Sequence, residues 1–359
     1  MQRLLVCILW VLTLPVMLHA QDAEQRMDDL MNQHKWFELK KEFPLLKDKI
    51  QKPMLRLMPE ALMNTFFNKP LAANTAIGEL IGNYQQEMGA GNTFSMVFFM
   101  MLNDFRQGNY QSTNGLISSF IEQASSSVPP ESLDIFEYYY LISYALLDYP
   151  APKMVHAKRD VTIPIEMKEA KKGHNLLAPV RINKKEYSFI FDTSASNAMI
   201  SEQLALEMGV RSIADSIPVM GVAGGYAKLG VIDSLAVGDL MYYNMPCLIA
   251  TLSPEAASVY QTGALLGTDF INALGEIQIY PKEGKLLVPA TKTPLPASGS
   301  NIRFEGSMLL LNMNQQENGL TEEQTQHMGA EDSSLGLDFA GSYSKVLLNL
   351  EDMFIKVEP

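Results

Sequence analysis

The stretch that decides the fold reads YSFIFDTSASNAMIS, from Tyr187 to Ser201. Its first residues alternate and then become apolar, which is typical of a β-strand that enters a core. The strand ends on Asp192. The four residues that follow it have small side chains: Thr193, Ser194, Ala195 and Ser196. A carboxylate at a strand end is common in turns, but one surrounded by such small residues leaves room for another chain to approach. This stretch is therefore the candidate functional site.

Residues 151–290 around this stretch read as short strands with a period of two. Three pairs of strand-like segments flank turn sequences, which predicts three hairpins. The connections are Asn183–Glu186, Ala223-Gly224-Gly225 and Pro281–Gly284. At least six short strands with only two short helices favour a small closed β domain over a parallel sheet with crossover helices.

Three motifs in this region, in this order and spacing, resemble one lobe of a retropepsin-like aspartic peptidase. Ile190 to Ser196 stands where that family has hydrophobic-hydrophobic-Asp-Thr-Gly-Ala-Ser. Val222 to Tyr226 stands at the glycine-tipped flap hairpin, and Leu265 to Phe270 at the hydrophobic-hydrophobic-Gly segment that precedes a short helix. The resemblance covers roughly Asn175 to Pro289 and implies an all-β acid-protease barrel.

The resemblance implies a role for each motif. Asp192 is the catalytic carboxylate, and the hydroxyl of Thr193 holds two active-site loops together. The flap residues close over a peptide substrate: Ala223, Gly224, Gly225 and Tyr226. Leu266 and Gly267 pack beside the Asp loop. Two carboxylates that share one proton provide both the base and the acid for peptide hydrolysis, so the resemblance implies neither a metal nor a cofactor.

One residue departs from the family pattern. Ser194 stands where the family has glycine, which lets the backbone approach the carboxylate pair without a Cβ. Serine is the smallest polar replacement, and it lies directly beside the expected position of the attacking water. This substitution leaves two interpretations open, an active peptidase or a peptidase fold that has lost catalysis.

The second carboxylate has two possible sources. Retropepsins are dimers, so Asp192 of a second copy could supply it across a two-fold axis. Alternatively, Ser334–Ser342 loosely repeats Ser188–Ser196, and Asp338 then aligns with Asp192. The Thr is missing after Asp338, and no second flap follows it. We therefore predict that 291–359 form a linker and a short, diverged second lobe, and the pairing of Asp192 with Asp338 is slightly favoured.

Residues 21–150 have a helical pattern, with apolar residues recurring every three or four positions. A helix–Gly108-Asn109–helix unit resembles one element of a tetratricopeptide-like repeat, but no clean period recurs, so an irregular bundle is the alternative. Tyr149–Pro152 interrupts the helical pattern. The sequence therefore predicts an all-α N-terminal domain followed by the β domain, with the boundary near residue 150.

The first 20 residues are typical of a secretory signal. Arg3 precedes an apolar run that is short for a membrane span, and Ala20 ends a small-residue cleavage site. Removing this segment leaves Cys247 as the only cysteine and a net charge of −13, which argues against a nucleic-acid partner. The five histidines show no zinc-ligand spacing. We expect a periplasmic or extracellular location and no membrane span after cleavage.

Three functions are consistent with these features. The favoured one is a secreted aspartic endopeptidase that cuts extended peptides or unfolded proteins, with the helices recruiting substrate or a partner protein. The second is a catalytically impaired protein of the same fold that binds peptides or partner proteins. A structural envelope protein comes last, because it leaves Asp192, the flap and Leu266-Gly267 unexplained.

Overall fold

The computed structural model describes residues 22–124, 133–170, 173–219, 222–254, 262–313, 320–321 and 335–359. The predicted signal segment lies outside these residues. The chain divides into two compact units, and the division falls between Asn103 and Asp104. The fold class is as predicted, with helices first and a β-rich region after them.

The first unit is helical. Its helices are α1 over 22–32, α2 Trp36–Leu46, α3 Pro53–Phe66 and α4 Pro70–Arg106, which continues past the division. α4 has a kink at Gly89, where φ is 75°. The rings of Trp36 and Phe66 join α2 to α3 with centroids 4.7 Å apart. Apolar side chains at helical spacing therefore form this core, as the sequence predicts. A tetratricopeptide-like arrangement stays a prediction. No helix in the described ranges is both long enough and apolar enough to span a bilayer.

Two further helices, α5 Tyr110–Ala124 and α6 Asp134–Ala145, belong to the same unit as the strands. The change from helix to strand falls near residue 150, because α6 ends at Ala145 and the first strand begins at Lys153. The helices share a hydrophobic core with the strands. Its buried members include Tyr110, Ile142, Leu146, Ile217, Leu229 and Leu248.

Sixteen strands follow in the described part of the second unit. They are β1 Lys153–Val155, β2 Val161–Pro164, β3 Glu166–Glu169, β4 His174–Ile182, β5 Lys185–Phe191, β6 Met199–Ile200, β7 Ser212–Pro218, β8 Tyr226–Val237, β9 Leu240–Ile249, β10 Ala264–Leu266, β11 Glu276–Tyr280, β12 Lys285–Val288, β13 Ile302–Glu305, β14 Met308–Leu311, β15 Lys345–Asn349 and β16 Phe354–Glu358. Two short helices interrupt them: α7 Glu202–Met208 and α8 Thr268–Leu274. Ser201 caps α7 by accepting a hydrogen bond from the backbone N–H of Leu204.

The strands form three sheets. The largest has the order β1-β9-β6-β10-β5-β4-β8-β7, with β3 also paired to β4. A five-stranded sheet has the order β16-β15-β11-β12-β2, and β13 and β14 form a hairpin of their own. In the largest sheet β10 lies parallel to β5, with Leu266 opposite Phe191. This pairing sets the Leu-Leu-Gly motif beside the end of the Asp192 strand.

The predicted hairpins are present. The first has a tighter turn than the sequence indicates, because Ile182 pairs with Lys185 and only Asn183 and Lys184 lie between the strands. Both turn residues have positive φ, 51° and 67°, which matches a type I′ turn. β7 and β8 form the flap hairpin and β11 and β12 the last one, with Gly284 at φ 62°.

A buried carboxylate lies in the five-stranded sheet. Glu276 is 1% exposed, and its two carboxylate oxygens accept four hydrogen bonds. The donors are Gln278 Nε2 at 2.8 Å, Thr293 Oγ1 at 2.7 Å, Thr293 N at 2.7 Å and Asn349 Nδ2 at 2.9 Å. Glu276 therefore joins β11, β15 and the segment after β12.

Replacing Glu276 by alanine should lower the free energy of unfolding by about 3 kcal/mol, because several buried donors lose a charged acceptor. Urea denaturation of the variant measures this loss. Glu166→Ala is the matched control, since Glu166 is an exposed glutamate on β3. Equal midpoints for the two variants would contradict the assigned role of Glu276.

Candidate active site

Asp192 lies at the end of β5, and the residue is 8% exposed. The backbone N–H of Asp192 donates to the carbonyl of Leu266 at 3.0 Å, which extends the β5–β10 ladder by one residue. Asp192 Oδ1 accepts hydrogen bonds from Ser194 N at 2.8 Å and Ser194 Oγ at 2.6 Å. The residue that departs from the family pattern is therefore in direct contact with the candidate catalytic carboxylate.

The side chain of Thr193 links the loop to a distant segment. Thr193 is 1% exposed, and its hydroxyl donates to the backbone carbonyl of Leu335 at 2.5 Å. Leu335 precedes Asp338 by three residues. The structure thus brings the loop after Asp192 against the segment that the sequence proposes as its partner.

Thr268, the first residue of α8, also holds the Asp192 loop. Thr268 Oγ1 donates to the carbonyls of Thr193 at 2.8 Å and Ala195 at 3.0 Å, and Thr268 N donates to Ala195 O at 2.7 Å. Thr268 was not among the predicted site residues. The only signal for it was its position immediately after the Leu-Leu-Gly motif, where a hydroxyl can reach the neighbouring loop.

Asp269 continues this set of contacts. Its backbone N–H donates to Ser196 O at 3.2 Å, and its Oδ2 accepts from Ala198 N at 3.2 Å. Its Oδ1 accepts from Phe270 N at 2.7 Å. Burial raises the pKa of the Asp269 carboxyl to about 7, and the backbone donors lower it only in part. Asp269 was not among the predicted site residues.

A glycine is required at position 267 because the backbone of the Asp192 loop lies very close to it. A Cβ at this position would lie 2.7 Å from the backbone carbon and oxygen of Asn197 and 2.8 Å from the carbonyl oxygen of Ala195. These are backbone atoms of the Asp192 loop, so a side chain could not be accommodated by a rotamer change. Leu266 is fully buried. Gly267 therefore lies directly against the backbone of the Asp192 loop.

Gly267→Ala should lower the free energy of unfolding by about 2–3 kcal/mol, because the Asn197 and Ala195 backbone must move to admit the Cβ. Thermal unfolding measures the loss. Gly82→Ala, at a helical glycine with open space around its Cβ position, is the control and should be neutral or slightly stabilising. A Gly267→Ala chain as stable as the wild type would show that the loop is loosely packed.

Two more contacts reach the loop from elements that the sequence did not connect with it. Ser196 Oγ donates to Ser307 Oγ at 2.6 Å, from the turn between β13 and β14. The hydroxyl of Tyr138 on α6 donates to Asn197 Oδ1 at 3.1 Å. The small residues after Asp192 are therefore fixed on several sides by the second unit.

The flap residues form the connection between β7 and β8. Ala223, Gly224 and Gly225 make a short 3-10 turn in which the two glycines have φ of 75° and 74°. Ala223 N donates to Thr251 O at 2.7 Å, and Tyr226 is 61% exposed. Two positive φ angles explain the paired glycines. Their role toward substrate stays a prediction.

Asp338 has a different environment from Asp192. Asp338 is exposed, and its backbone carbonyl accepts from His174 N at 2.9 Å. Its main chain also passes so close to Gly173 that a Cβ there would lie 2.4 Å from the Asp338 carbonyl oxygen. Within the described ranges, no cluster of three or more His, Cys, Asp or Glu residues could bind a metal ion.

The match to a family model agrees with the motifs around Asp192. Residues 178–270 match the family model of aspartyl proteases. Among solved structures, the chain is similar to a retropepsin-like aspartic protease from Rickettsia conorii, at 13% identity and a TM-score of 0.26 over 38% of this chain and 92% of that one. No curated protein sequence matches. The resemblance to the aspartyl protease family is confirmed for the segment that contains Asp192 and Gly267, and it supports a peptidase-type hydrolase.

Proposed function

We propose that this protein is an aspartic endopeptidase in which the Asp192 carboxylate activates a water molecule. The observation that carries the proposal is the Asp192 loop itself. A buried carboxylate ends a core strand, and the residues after it are fixed by Thr268, by Leu335 through Thr193, and by Leu266. Such fixed geometry is what water activation needs. The family match over 178–270 supports the same reaction class.

The reaction requires two carboxyl groups. One carboxylate accepts a proton from the water molecule as the water oxygen attacks the peptide carbonyl carbon. The other carboxyl is protonated and donates its proton to the carbonyl oxygen. The first carboxyl then gives the proton taken from water to the amide nitrogen as the C–N bond breaks, and the second recovers a proton from a hydroxyl of the tetrahedral intermediate. Asp192 provides one of these groups. The sequence left two sources open for the other, Asp338 and Asp192 of a second copy, and light scattering of the intact chain distinguishes a monomer from a dimer.

The substrate class follows from the geometry of this reaction. An extended peptide or an unfolded protein segment lies along the loop of small residues after Asp192, and the flap around Gly224 covers it. The N-terminal helices would recruit substrate or a partner protein. With residues 1–20 as an export signal, the enzyme acts in the periplasm or outside the cell.

The test is digestion of fluorescein-labelled casein by the purified chain without residues 1–20, from pH 3 to pH 8. We expect cleavage that a statine-containing peptide inhibits, because statine mimics the tetrahedral intermediate that two carboxyl groups bind. A folded chain that cleaves nothing over this range would overturn the proposal.

Peptide binding without cleavage is the second candidate, and the Ser194 hydroxyl favours it. This hydroxyl donates to Asp192 Oδ1 at 2.6 Å, so it stabilises the carboxylate and competes with water for it. Ser194→Gly should therefore raise kcat/KM by about tenfold, which corresponds to about 1.4 kcal/mol, within the range of one charge-assisted hydrogen bond.

Ser194→Ala separates the two effects of this change, because it removes the hydroxyl and keeps the Cβ. Equal gains in Ser194→Ala and Ser194→Gly assign the effect to the hydrogen bond, whereas a gain in the glycine variant alone assigns it to the backbone. If neither variant differs from an active wild type, the serine is fully compatible with catalysis.

A further inference from the structure

The C-terminal segment repeats part of the β domain. Leu266-Gly267-Thr268-Asp269-Phe270 recurs as Leu335-Gly336-Leu337-Asp338-Phe339, 69 positions later. In both copies the flanking apolar side chains are buried. A hairpin follows each copy. In this alignment the counterpart of Asp338 is Asp269.

The registers of the two hairpins agree with the same spacing. Ile279 pairs with Leu286 between β11 and β12, and Leu348 pairs with Ile355 between β15 and β16, each 69 positions later. The hairpins also pair with each other through β11 and β15, where Gln278 lies opposite Leu347, its own counterpart. A local two-fold axis therefore passes between β11 and β15.

We propose that Asp269 is a positioning residue for the Asp192 loop and that Asp338 is its counterpart in a reduced second copy rather than the second catalytic carboxylate. The proposal rests on the proposed function, because it concerns the same loop. Asp269 is joined to the loop through Ser196 O and Ala198 N. Asp338 is exposed, and its backbone carbonyl accepts a hydrogen bond from His174 N.

The two copies differ at the residue between the glycine and the aspartate. This difference explains why the first copy binds the Asp192 loop through a side-chain hydroxyl and the second does not. Thr268 donates its hydroxyl to Thr193 O and Ala195 O, and Leu337 at the equivalent position has no hydroxyl. The second copy contributes a backbone acceptor instead.

The two equivalent leucine carbonyls bind the same loop. Leu266 O accepts from Asp192 N at 3.0 Å, and Leu335 O accepts from the Thr193 hydroxyl at 2.5 Å. The two copies thus hold consecutive residues of one Asp loop. This arrangement assigns the C-terminal segment to positioning Asp192.

Groups from three neighbouring elements face the Asp269 carboxyl. They are Tyr110 on α5, Tyr138 on α6, and Tyr242 and Cys247 on β9. Burial raises the pKa of each group, and the negative charge of Asp269 raises it further. All four groups are neutral in the range where Asp269 titrates. The charge of Asp269 is therefore stabilised chiefly by the backbone N–H groups of Ala198 and Phe270. Protonation of Asp269 weakens its bond to the loop at Ala198.

The experiment compares Asp269→Asn and Asp338→Asn in the chain without residues 1–20, with two readouts. One is kcat/KM on fluorescein-labelled casein, and the other is amide hydrogen exchange of residues 193–198 at pH 6 and pH 8. We expect Asp269→Asn to lower kcat/KM about tenfold and to abolish a rise in protection of the Ala198 amide between these pH values. Asp338→Asn should change kcat/KM less than about twofold and leave that rise intact.

A pair of variants at Thr268 keeps the test decisive if Asp269→Asn fails to fold. Thr268→Val removes the two hydroxyl bonds to the loop, and Thr268→Ser retains them, so only the valine variant should increase exchange at 193–198. Loss of cleavage in a folded Asp338→Asn chain would overturn the assignment, and so would unchanged exchange in both Asp269→Asn and Thr268→Val. If the wild type cleaves nothing, the proposed function fails, and the exchange readout still decides the positioning role.

Discussion

Asp192→Asn is expected to lower kcat/KM for an unfolded protein substrate by about 100- to 10,000-fold, the usual contribution of a positioned acid or base. Asparagine has nearly the same shape, and its Oδ1 can still accept from Ser194 N, so the loop should keep its conformation. The amide cannot accept the proton of the attacking water. The loss should therefore lie in kcat, with KM little changed.

The control for this variant is Asp233→Asn, an exposed carboxylate on β8 in the same unit. Both chains should unfold at the wild-type temperature, which circular dichroism measures. An Asp192→Asn chain that is folded and cleaves within about tenfold of the wild type would show that another group activates the water. A contaminating peptidase could also produce residual cleavage in the Asp192→Asn preparation. Cleavage by both chains must therefore also be compared after size-exclusion chromatography.

The parts of the fold that sequence reasoning predicted are those with local causes. Period-two alternation marked the strands, and Asn183-Lys184 and Gly224-Gly225 supplied the positive φ angles of two hairpins. Gly267 was recognisable because a glycine after two leucines is part of an ordered set of motifs. These signals lie within a few residues of the feature that they predict.

The contacts that position Asp192 were not predictable in this way. The Thr193 hydroxyl and the Leu335 carbonyl are separated by 142 positions, and Thr268 is separated from Thr193 by 75. Neither hydroxyl has a local pattern that names its partner. The repeat around Asp338 was visible in the sequence, but aligning Asp338 with Asp192 depended on matching serines. The registers of the two hairpins favour aligning Asp338 with Asp269 instead. A register is known only once the strand pairs are known, so this evidence comes from the structure.

The stability of the protein should fall as the pH rises from about 4 to about 7, because of Asp269. Burial raises the pKa of this carboxyl from an ordinary value of 3.8 to about 7 in the folded chain. Between these values the folded state keeps a proton that the unfolded state has released, so the stability contribution is present below pH 4 and lost as Asp269 ionises. The corresponding change in the free energy of unfolding is at most about 4 kcal/mol.

The measurement is the difference in the free energy of unfolding between Asp269→Asn and the wild type, from urea denaturation at several pH values. As the pH rises to about 7, the variant should become more stable relative to the wild type, because asparagine does not ionise. Above about pH 7 the difference in the free energy of unfolding should stay constant. Any hydrogen bond that asparagine loses adds a constant that is independent of pH. Parallel curves would mean that Asp269 titrates at its ordinary pKa and is well solvated.

Asp338→Asn is the matched control, since Asp338 occupies the same position in the second copy but is exposed. Because Asp269 is intact in this variant, its stability should still fall as the pH rises to about 7. A buried acid that costs stability when ionised is expected where the charge has a function. In the ionised form Asp269 accepts the Ala198 N–H and holds the far end of the Asp192 loop. The loss of stability and the gain in amide protection of the loop should therefore appear over the same pH range, as Asp269 ionises. Both effects should be absent in Asp269→Asn.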